Sequence, residues 1–156
     1  LHAVEEKFIQ LSEKYLVSFL DNLESSSIKH KAQDENKATF SPKIDKKFLQ
    51  IDWQGDSSIE IIRKINALGS KYGTYSFLGG KRVKIYRARS VESEMKYDAG
   101  YISVKDDQLV VFCKDASSIL IEQIQMEGKN KVSGKDFIAG YLDLIKKNGK
   151  FELTIR

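Results

Sequence analysis

Apolar residues recur every three or four positions near the start of the chain, and this spacing predicts an amphipathic helix. The apolar stripe consists of Val4, Phe8, Leu11, Tyr15, Phe19 and Leu23. Acidic side chains occupy the opposite face, and the pattern ends at a run of serines after Glu24. A helix this apolar on one side does not stand alone in water, so we expect it to pack on another body of protein.

Between this helix and Ile51 the chain shows no regular hydrophobic period. The stretch 28–50 contains the only proline, Pro42, and a polar run over 33–37, which together favour an extended linker. We therefore predict three parts: a terminal helix over 1–27, a linker over 28–50 and a folded domain over 51–156.

From Ile51 onward, short strand-like runs are separated by turn residues, with one helix before them and one after. Ser57 and Glu60 form a capping box for the first helix, which we expect to end with Gly69 in a left-handed conformation. Ser133 and Asp136 predict a second helix through about residue 142. The predicted strands are 74–78, 82–91, 100–105, 108–113, 118–124 and 151–155.

The turn chemistry between these strands favours an antiparallel sheet. Gly79-Gly80 and Asp106-Asp107 have the composition of tight hairpin turns. A small antiparallel sheet must hide its edges, and closure is the usual way to do so. We therefore predict a mainly β fold with flanking helices: a small OB-like β-barrel, preceded by the amphipathic helix and the linker.

Composition excludes several kinds of functional site. A single cysteine, Cys113, excludes an internal disulfide and a multi-cysteine zinc site. The two histidines, His2 and His30, lie far apart in sequence and offer little material for catalysis or for a metal. No apolar run approaches the ~20 residues of a membrane span. With no signal-peptide pattern either, we expect a cytoplasmic protein without membrane or metal partners.

Positive charge is concentrated in one predicted strand. The chain has 26 basic and 22 acidic residues, and five of the basic ones fall between residues 81 and 89, where no acid occurs. Such a cluster is typical of a phosphate-binding stripe. The alternative is an exposed strand edge that like charges keep soluble. The cluster comprises Lys81, Arg82, Lys84, Arg87 and Arg89.

Strand alternation makes a specific demand on this cluster. Arg82, Lys84 and Tyr86 share one face, and the apolar residues between them share the other. Arg87 and Arg89 have the parity of the apolar set. A β-bulge or strand end near 86–87 is therefore needed to keep them out of the core.

A second basic group, Lys129 and Lys131, precedes the helix that Ser133 caps. Helix N-termini attract phosphates, because unpaired N–H groups and the helix dipole both favour negative charge. The two lysines could assist in binding a backbone phosphate, or could simply belong to a solvated loop.

Four short motifs occur in order along the chain. They are Gln33-Asp34-x-x-x-Ala38-Thr39-x-x-Pro42-Lys43, Ile51-Asp52-Trp53, Leu78-Gly79-Gly80-Lys81-x-Val83-Lys84-Ile85-x-x-Ala88 and Glu127-Gly128-Lys129-x-x-x-Ser133-x-x-Asp136-Phe137-x-x-Gly140. Their ordered combination resembles the C-terminal part of the methionyl-tRNA formyltransferase family. The resemblance covers residues 33–141, and the helix at 1–24 is similar to the last helix of that family's catalytic domain.

The resemblance implies formyl transfer from 10-formyltetrahydrofolate to the amino group of methionyl-tRNA. In that family the folate site and the catalytic residues belong to a preceding domain with no counterpart here. We therefore expect no catalytic residue and no bound cofactor in this chain, which should be inactive without that domain. The family's C-terminal domain holds the tRNA through positive charge. The implied nucleic-acid-binding residues are Lys43, Lys81, Arg82, Lys84, Arg87, Arg89, Lys129 and Lys131.

Two alternatives stay open. The same barrel could be a structural platform in another folate-dependent formyltransferase that acts on a small amine, with no RNA partner. Five clustered positive charges favour the tRNA-binding interpretation, because a platform has no need of them. A free-standing RNA-binding protein is the weaker alternative, because the apolar helix at 1–24 calls for a partner.

Overall fold

The computed structural model describes residues 2–24, 31–92 and 97–153. These form two compact units, one ending at Lys43 and the other beginning at Ile44. The first unit contains helix α1 (His2–Glu24) and a single 3-10 turn (Glu35–Lys37). The predicted N-terminal helix is thus confirmed. Which body of protein covers its apolar stripe stays a prediction, and His30 lies outside the described residues.

The second unit is a six-stranded antiparallel sheet with one helix before it and one after it. The predicted mainly β fold with flanking helices is therefore confirmed. The strands lie in the order β1-β2-β5-β4-β3, and β6 pairs with β5. The elements are α2 (Ser58–Leu68), β1 (Thr74–Leu78), β2 (Lys81–Val91), β3 (Ile102–Lys105), β4 (Gln108–Phe112), β5 (Ser118–Met126), β6 (Lys131–Ser133) and α3 (Gly134–Asn148).

The ladder itself is open, and the segment after α3 bridges its two edges, β1 and β3. Glu152 and Phe77 exchange backbone hydrogen bonds of 2.9 and 3.0 Å. On the other edge, the Ile102 N–H of β3 donates to the Gly149 carbonyl at 2.9 Å, and the Phe151 N–H donates to the carbonyl of Gly100, just before β3, at 2.9 Å. Both edges are thus hydrogen-bonded to one short segment, an arrangement consistent with an OB-like fold. The predicted final strand over 151–155 is present only as isolated bridges, and residues 154–155 lie outside the described part of the chain.

Trp53 ties the same segment to the hydrophobic core. The residue is 1% exposed, and its ring stacks on Phe151 with a centroid distance of 5.6 Å. Its indole N–H donates to the Ser76 hydroxyl at 2.9 Å, and that hydroxyl donates to the Glu152 carbonyl at 2.8 Å. The one polar atom of the indole is therefore satisfied inside the core.

The ends of α2 confirm one prediction and correct another. The Ser57–Glu60 capping box is present in full. Gly69, however, is right-handed helical, with φ −59°, and the left-handed residue is Gly73, with φ 71°. A Cβ at Gly69 would lie 2.6 Å from the Tyr86 carbonyl oxygen. Glycine is required there because the helix end approaches the β2 backbone closely, not because of its φ angle.

Helix α3 is longer than predicted. The Ser133 hydroxyl accepts the Asp136 N–H at 3.1 Å, as expected of a cap, but the helix continues to Asn148 rather than ending near residue 142. A kink at Tyr141, with φ −134°, interrupts the regular geometry. The helix ends at Gly149, which is left-handed with φ 71°.

Both predicted hairpin turns are confirmed. Gly79 and Gly80 have φ angles of 56° and 76°, and Asp106 and Asp107 have 51° and 60°. Two successive residues with positive φ are the signature of the tight turns that match the twist of paired strands.

Cys113 lies in the core, as a buried and inert thiol would. Burial, and secondarily the nearby Asp115 carboxylate, raise the pKa of the thiol to about 12. The reactive thiolate is therefore scarce at neutral pH.

The described ranges 2–24, 31–92 and 97–153 contain neither a membrane-spanning helix nor a cluster of metal-binding side chains. No helix there has the length and apolar character needed to cross a bilayer. No group of three or more histidine, cysteine, aspartate or glutamate side chains is placed there to bind a metal ion.

Candidate nucleic-acid interface

Strand β2 presents its basic residues to solvent, as alternation predicts. Val83 and Ile85 are 0% exposed in the core. Arg82 and Lys84 alternate with them along the strand, lie on the opposite side of the sheet and are half-buried, and Lys81 is exposed at the start of the strand. The sheet therefore separates the positive charges from the hydrophobic core.

The predicted bulge is also confirmed. The ladder between β2 and β5 changes register on either side of Arg87. One shift leaves Tyr86 without a partner in the ladder, and the other does the same to Glu122 on β5. The parity of β2 is thereby reversed, so Arg87 and Arg89 reach solvent with side chains 75% and 56% exposed.

The second basic group joins the first through Tyr86. The Lys131 ammonium lies 3.7 Å from the centroid of the Tyr86 ring, a close cation–π contact. The Tyr86 hydroxyl donates to Gln125 Oε1 at 2.6 Å, and the Gln125 amide donates to the Lys129 carbonyl at 2.6 Å. Partial burial raises the pKa of Tyr86, which keeps the hydroxyl protonated as a donor.

These contacts assemble seven basic residues, from β2 and from the β5–β6 turn and strand β6, into one surface that we term the basic face. They hold Lys129 and Lys131 beside the basic strand. Sequence reasoning proposed the two groups separately and gave no reason for them to adjoin. The basic face consists of Lys81, Arg82, Lys84, Arg87, Arg89, Lys129 and Lys131.

Two acidic residues of β5 and its following turn also lie on the basic face, and sequence reasoning missed them. Glu127 pairs with Arg82 at 3.0 Å. Glu122 pairs with both Arg87 and Arg89, at 3.4 and 3.3 Å. The face keeps a positive excess, because seven cations stand against two carboxylates, but all three of its arginines are ion-paired.

Aromatic rings border the basic face on β1. Tyr75 and Phe77 are half-buried on its solvent side and pack edge to face at a centroid distance of 5.8 Å. The Arg82 guanidinium lies 5.8 Å from the Tyr75 ring centroid. The inward positions of β1 belong to residues of the other parity, among them Ser76, which accepts the Trp53 indole N–H.

The start of α3 does not offer a free phosphate site of the kind considered from the sequence. Asp136 lies in its first turn, and its carboxylate accepts a 2.7 Å hydrogen bond from the Ser133 hydroxyl. This carboxylate already supplies the negative charge that a helix N-terminus favours. Lys43 ends the first unit with an exposed side chain, and its role in binding stays a prediction.

Replacing Tyr86 by phenylalanine should test the hydroxyl's part in this arrangement. The variant keeps the ring beneath Lys131 but leaves Gln125 Oε1 without its donor, so we expect a stability loss of about 0.5–1.5 kcal/mol. Urea unfolding measures this loss. Gln125→Leu with Tyr86→Phe is the matched double variant, and losses that simply add would contradict a direct interaction between the two side chains.

Comparison with known proteins places the chain in a family. Residues 43–142 match the family model described as formyl transferase, C-terminal domain. The chain belongs to this family. The predicted resemblance is therefore confirmed.

Proteins similar to this chain include methionyl-tRNA formyltransferases from several bacteria. The one from Thermotoga maritima is 30% identical over 130 residues, which cover 83% of this chain and 41% of that protein. The one from Thermotoga neapolitana is 30% identical over 152 residues, covering 96% and 48%. The one from Caldicellulosiruptor saccharolyticus is 32% identical, covering 88% and 44%. The chain thus spans less than half the length of these relatives.

Solved structures of HypX from Aquifex aeolicus share the fold. A variant of that protein superposes with a TM-score of 0.67 at 22% sequence identity, covering 83% of this chain and 23% of that one. The HypX complex with tetrahydrofolic acid gives 0.65 at 21% identity. At such identities the likeness concerns the fold alone.

Proposed function

We propose that this chain is the tRNA-binding C-terminal portion of a methionyl-tRNA formyltransferase. The observation that supports this most directly is the basic face, which groups seven cations on the solvent side of the sheet. Clustered lysine and arginine side chains bind nucleic acids by replacing condensed counterions along the phosphate backbone. The names of similar proteins, methionyl-tRNA formyltransferases, support methionyl-tRNA as the nucleic acid in this proposal.

The proposal assigns the chemistry to another part of the enzyme. Formyl transfer from 10-formyltetrahydrofolate to initiator methionyl-tRNA, in the cytoplasm, would use a catalytic N-terminal formyltransferase domain as the partner of this chain. The shifted pKa values of Glu60, Asp115 and Lys135 come from the hydrogen bonds of a helix cap, a turn and a surface ion pair, and the proposal gives none of these groups a part in formyl transfer. This chain would contribute affinity for the RNA and would turn over no substrate by itself.

A structural platform without an RNA partner is the second candidate. One observation favours it: Glu122 and Glu127 pair with all three arginines of the basic face, so part of the positive charge is already compensated. Because β2 lies between β1 and β5, these ion pairs would keep a face of the sheet soluble rather than the exposed strand edge considered from the sequence. The salt dependence of RNA binding separates the two candidates.

Titrating the chain with tRNA at several salt concentrations is the decisive experiment. With about four phosphates engaged, the slope of log affinity against log salt should be near −3, and the dissociation constant should lie at ~10⁻⁴ to 10⁻⁶ M. Initiator and elongator tRNAs should bind about equally, because phosphate contacts do not read base sequence. Absence of binding at low salt, or binding that salt does not weaken, would instead favour the platform.

A further inference from the structure

The double bulge opposite Arg87 places one carboxylate between two guanidinium groups. Glu122 Oε2 lies 3.4 Å from Arg87 Nε, and Glu122 Oε1 lies 3.3 Å from Arg89 Nε. Each oxygen of the carboxylate thus contacts a different arginine. Because Glu122 is the residue without a ladder partner in β5, the bulge that brings Arg87 to the surface also brings its counter-ion.

We propose that Glu122 is a built-in competitor for phosphate, which limits the affinity of the basic face for RNA. The inference rests on the proposed function and deepens it. Arg87 and Arg89 displace fewer condensed counterions from the RNA backbone, because the Glu122 carboxylate already neutralises part of their charge. A phosphate group that engages them must share them with Glu122 or displace it.

The exposure of these side chains makes the competition effective. Arg87 and Arg89 are 75% and 56% exposed, so both are open to an approaching polyanion. Glu122 is 34% exposed, the most shielded of the three, and therefore stays in place beside them. An exposed ion pair contributes little to folding, which leaves this carboxylate free to act on binding rather than on stability.

The same arrangement could instead serve RNA binding by orienting the two arginines. In that case the removal of Glu122 would loosen them and weaken binding. In the competitor arrangement the removal strengthens binding. The sign of the change therefore distinguishes the two roles.

The test compares Glu122→Gln with the parent chain in tRNA titrations over a range of salt. Glutamine keeps the shape of the side chain and removes its charge. Removing the attraction between two unit charges at this distance in water corresponds to about a fivefold rise in affinity for tRNA at low salt. The slope against log salt should steepen by about one unit, since one further phosphate engages a free arginine.

Asp107→Asn is the matched control. It also removes one negative charge and one ion pair, the 2.7 Å contact with Lys135, but at the β3–β4 turn outside the basic face. Asparagine tolerates the φ of 60° at this position. This variant reports the effect of net charge alone, which should fall well below that of Glu122→Gln.

Two results would overturn the inference: a Glu122→Gln variant that binds no better than Asp107→Asn, and one that binds more weakly than the parent. In a chain that already carries Arg87→Ala and Arg89→Ala, adding Glu122→Gln should give no further rise in affinity. A rise in that background would also contradict the inference, because it would place the competition elsewhere. Thermal unfolding confirms that each variant folds. A parent that fails to bind tRNA would refute the proposed function itself, which is a distinguishable outcome.

Discussion

Replacing Trp53 by alanine is expected to destabilise the second unit by about 3–5 kcal/mol, the usual cost of removing a large buried aromatic side chain. The indole is 1% exposed and stacks on Phe151. Its loss would leave a cavity beside the segment that bridges both sheet edges. Because that segment pairs with β1 and β3, weakening its anchor should also expose the edges. Urea unfolding followed by circular dichroism measures the loss.

Trp53→Phe serves as the milder comparison. It keeps a ring against Phe151 and removes the indole N–H that donates to Ser76. Ser76 would still donate to the Glu152 carbonyl, so we expect the phenylalanine variant to lose less stability than the alanine variant. A cost below about 1 kcal/mol for Trp53→Ala would show that the core collapses around the site and that the bridging segment does not depend on this anchor.

Local patterns predicted β1 to β5 well, though not β6, and the physical reason is the separation of faces. The apolar residues Val83, Ile85 and Ala88 are spaced by two and then by three, and they are all buried. A change from two to three in an otherwise alternating strand requires one extra outward residue. The bulge near Arg87 was therefore predictable from β2 alone.

The ends of the helices were predicted less well, because they depend on packing against distant residues. Gly69 has the sequence position of a left-handed stop, but its role is to admit the Tyr86 carbonyl. A kink at Tyr141 lets α3 continue past the expected end. Neither feature has a local sequence signal.

The electrostatics of the basic face could not be predicted from the basic cluster itself. No acid occurs between Lys81 and Arg89, yet Glu122 and Glu127 lie beside the arginines. They come from β5 and the turn after it, more than thirty residues away, and their positions depend on the register of β2 against β5. The cation–π contact of Lys131 with Tyr86 depends on pairing of the same kind.

This pairing changes what each basic residue can contribute. A carboxylate lies within 3.4 Å of each arginine of the basic face. Lys84, in contrast, is paired with Tyr75 on β1 and with Gln125 on β5. We therefore expect Lys84 to contribute more to RNA binding than a single arginine of the face. Its ammonium group has no acidic neighbour directly across either ladder.

Replacing Arg82, Lys84 and Arg87 together by alanine is expected to weaken tRNA binding at least tenfold at low salt and to flatten the salt slope by about two to three units. Each lost phosphate contact removes about one unit of slope. The loss should approach two units rather than three, because Glu127 and Glu122 already share the charge of the two arginines. Filter binding or fluorescence anisotropy at several salt concentrations measures both quantities.

Two controls accompany this triple variant, one for its stability and one for its change in net charge. The triple variant should stay within about 1 kcal/mol of the parent in urea unfolding, because ion pairs on the solvent side of the sheet contribute little and the Arg82–Tyr75 contact is a modest cation–π interaction. The matched control replaces three exposed lysines outside the basic face. This control variant also loses three positive charges, yet the salt dependence of its tRNA affinity should keep a slope near that of the parent. Equal loss of binding in the two variants would mean that net charge rather than the basic face attracts the RNA. The control lysines are Lys105, Lys146 and Lys147.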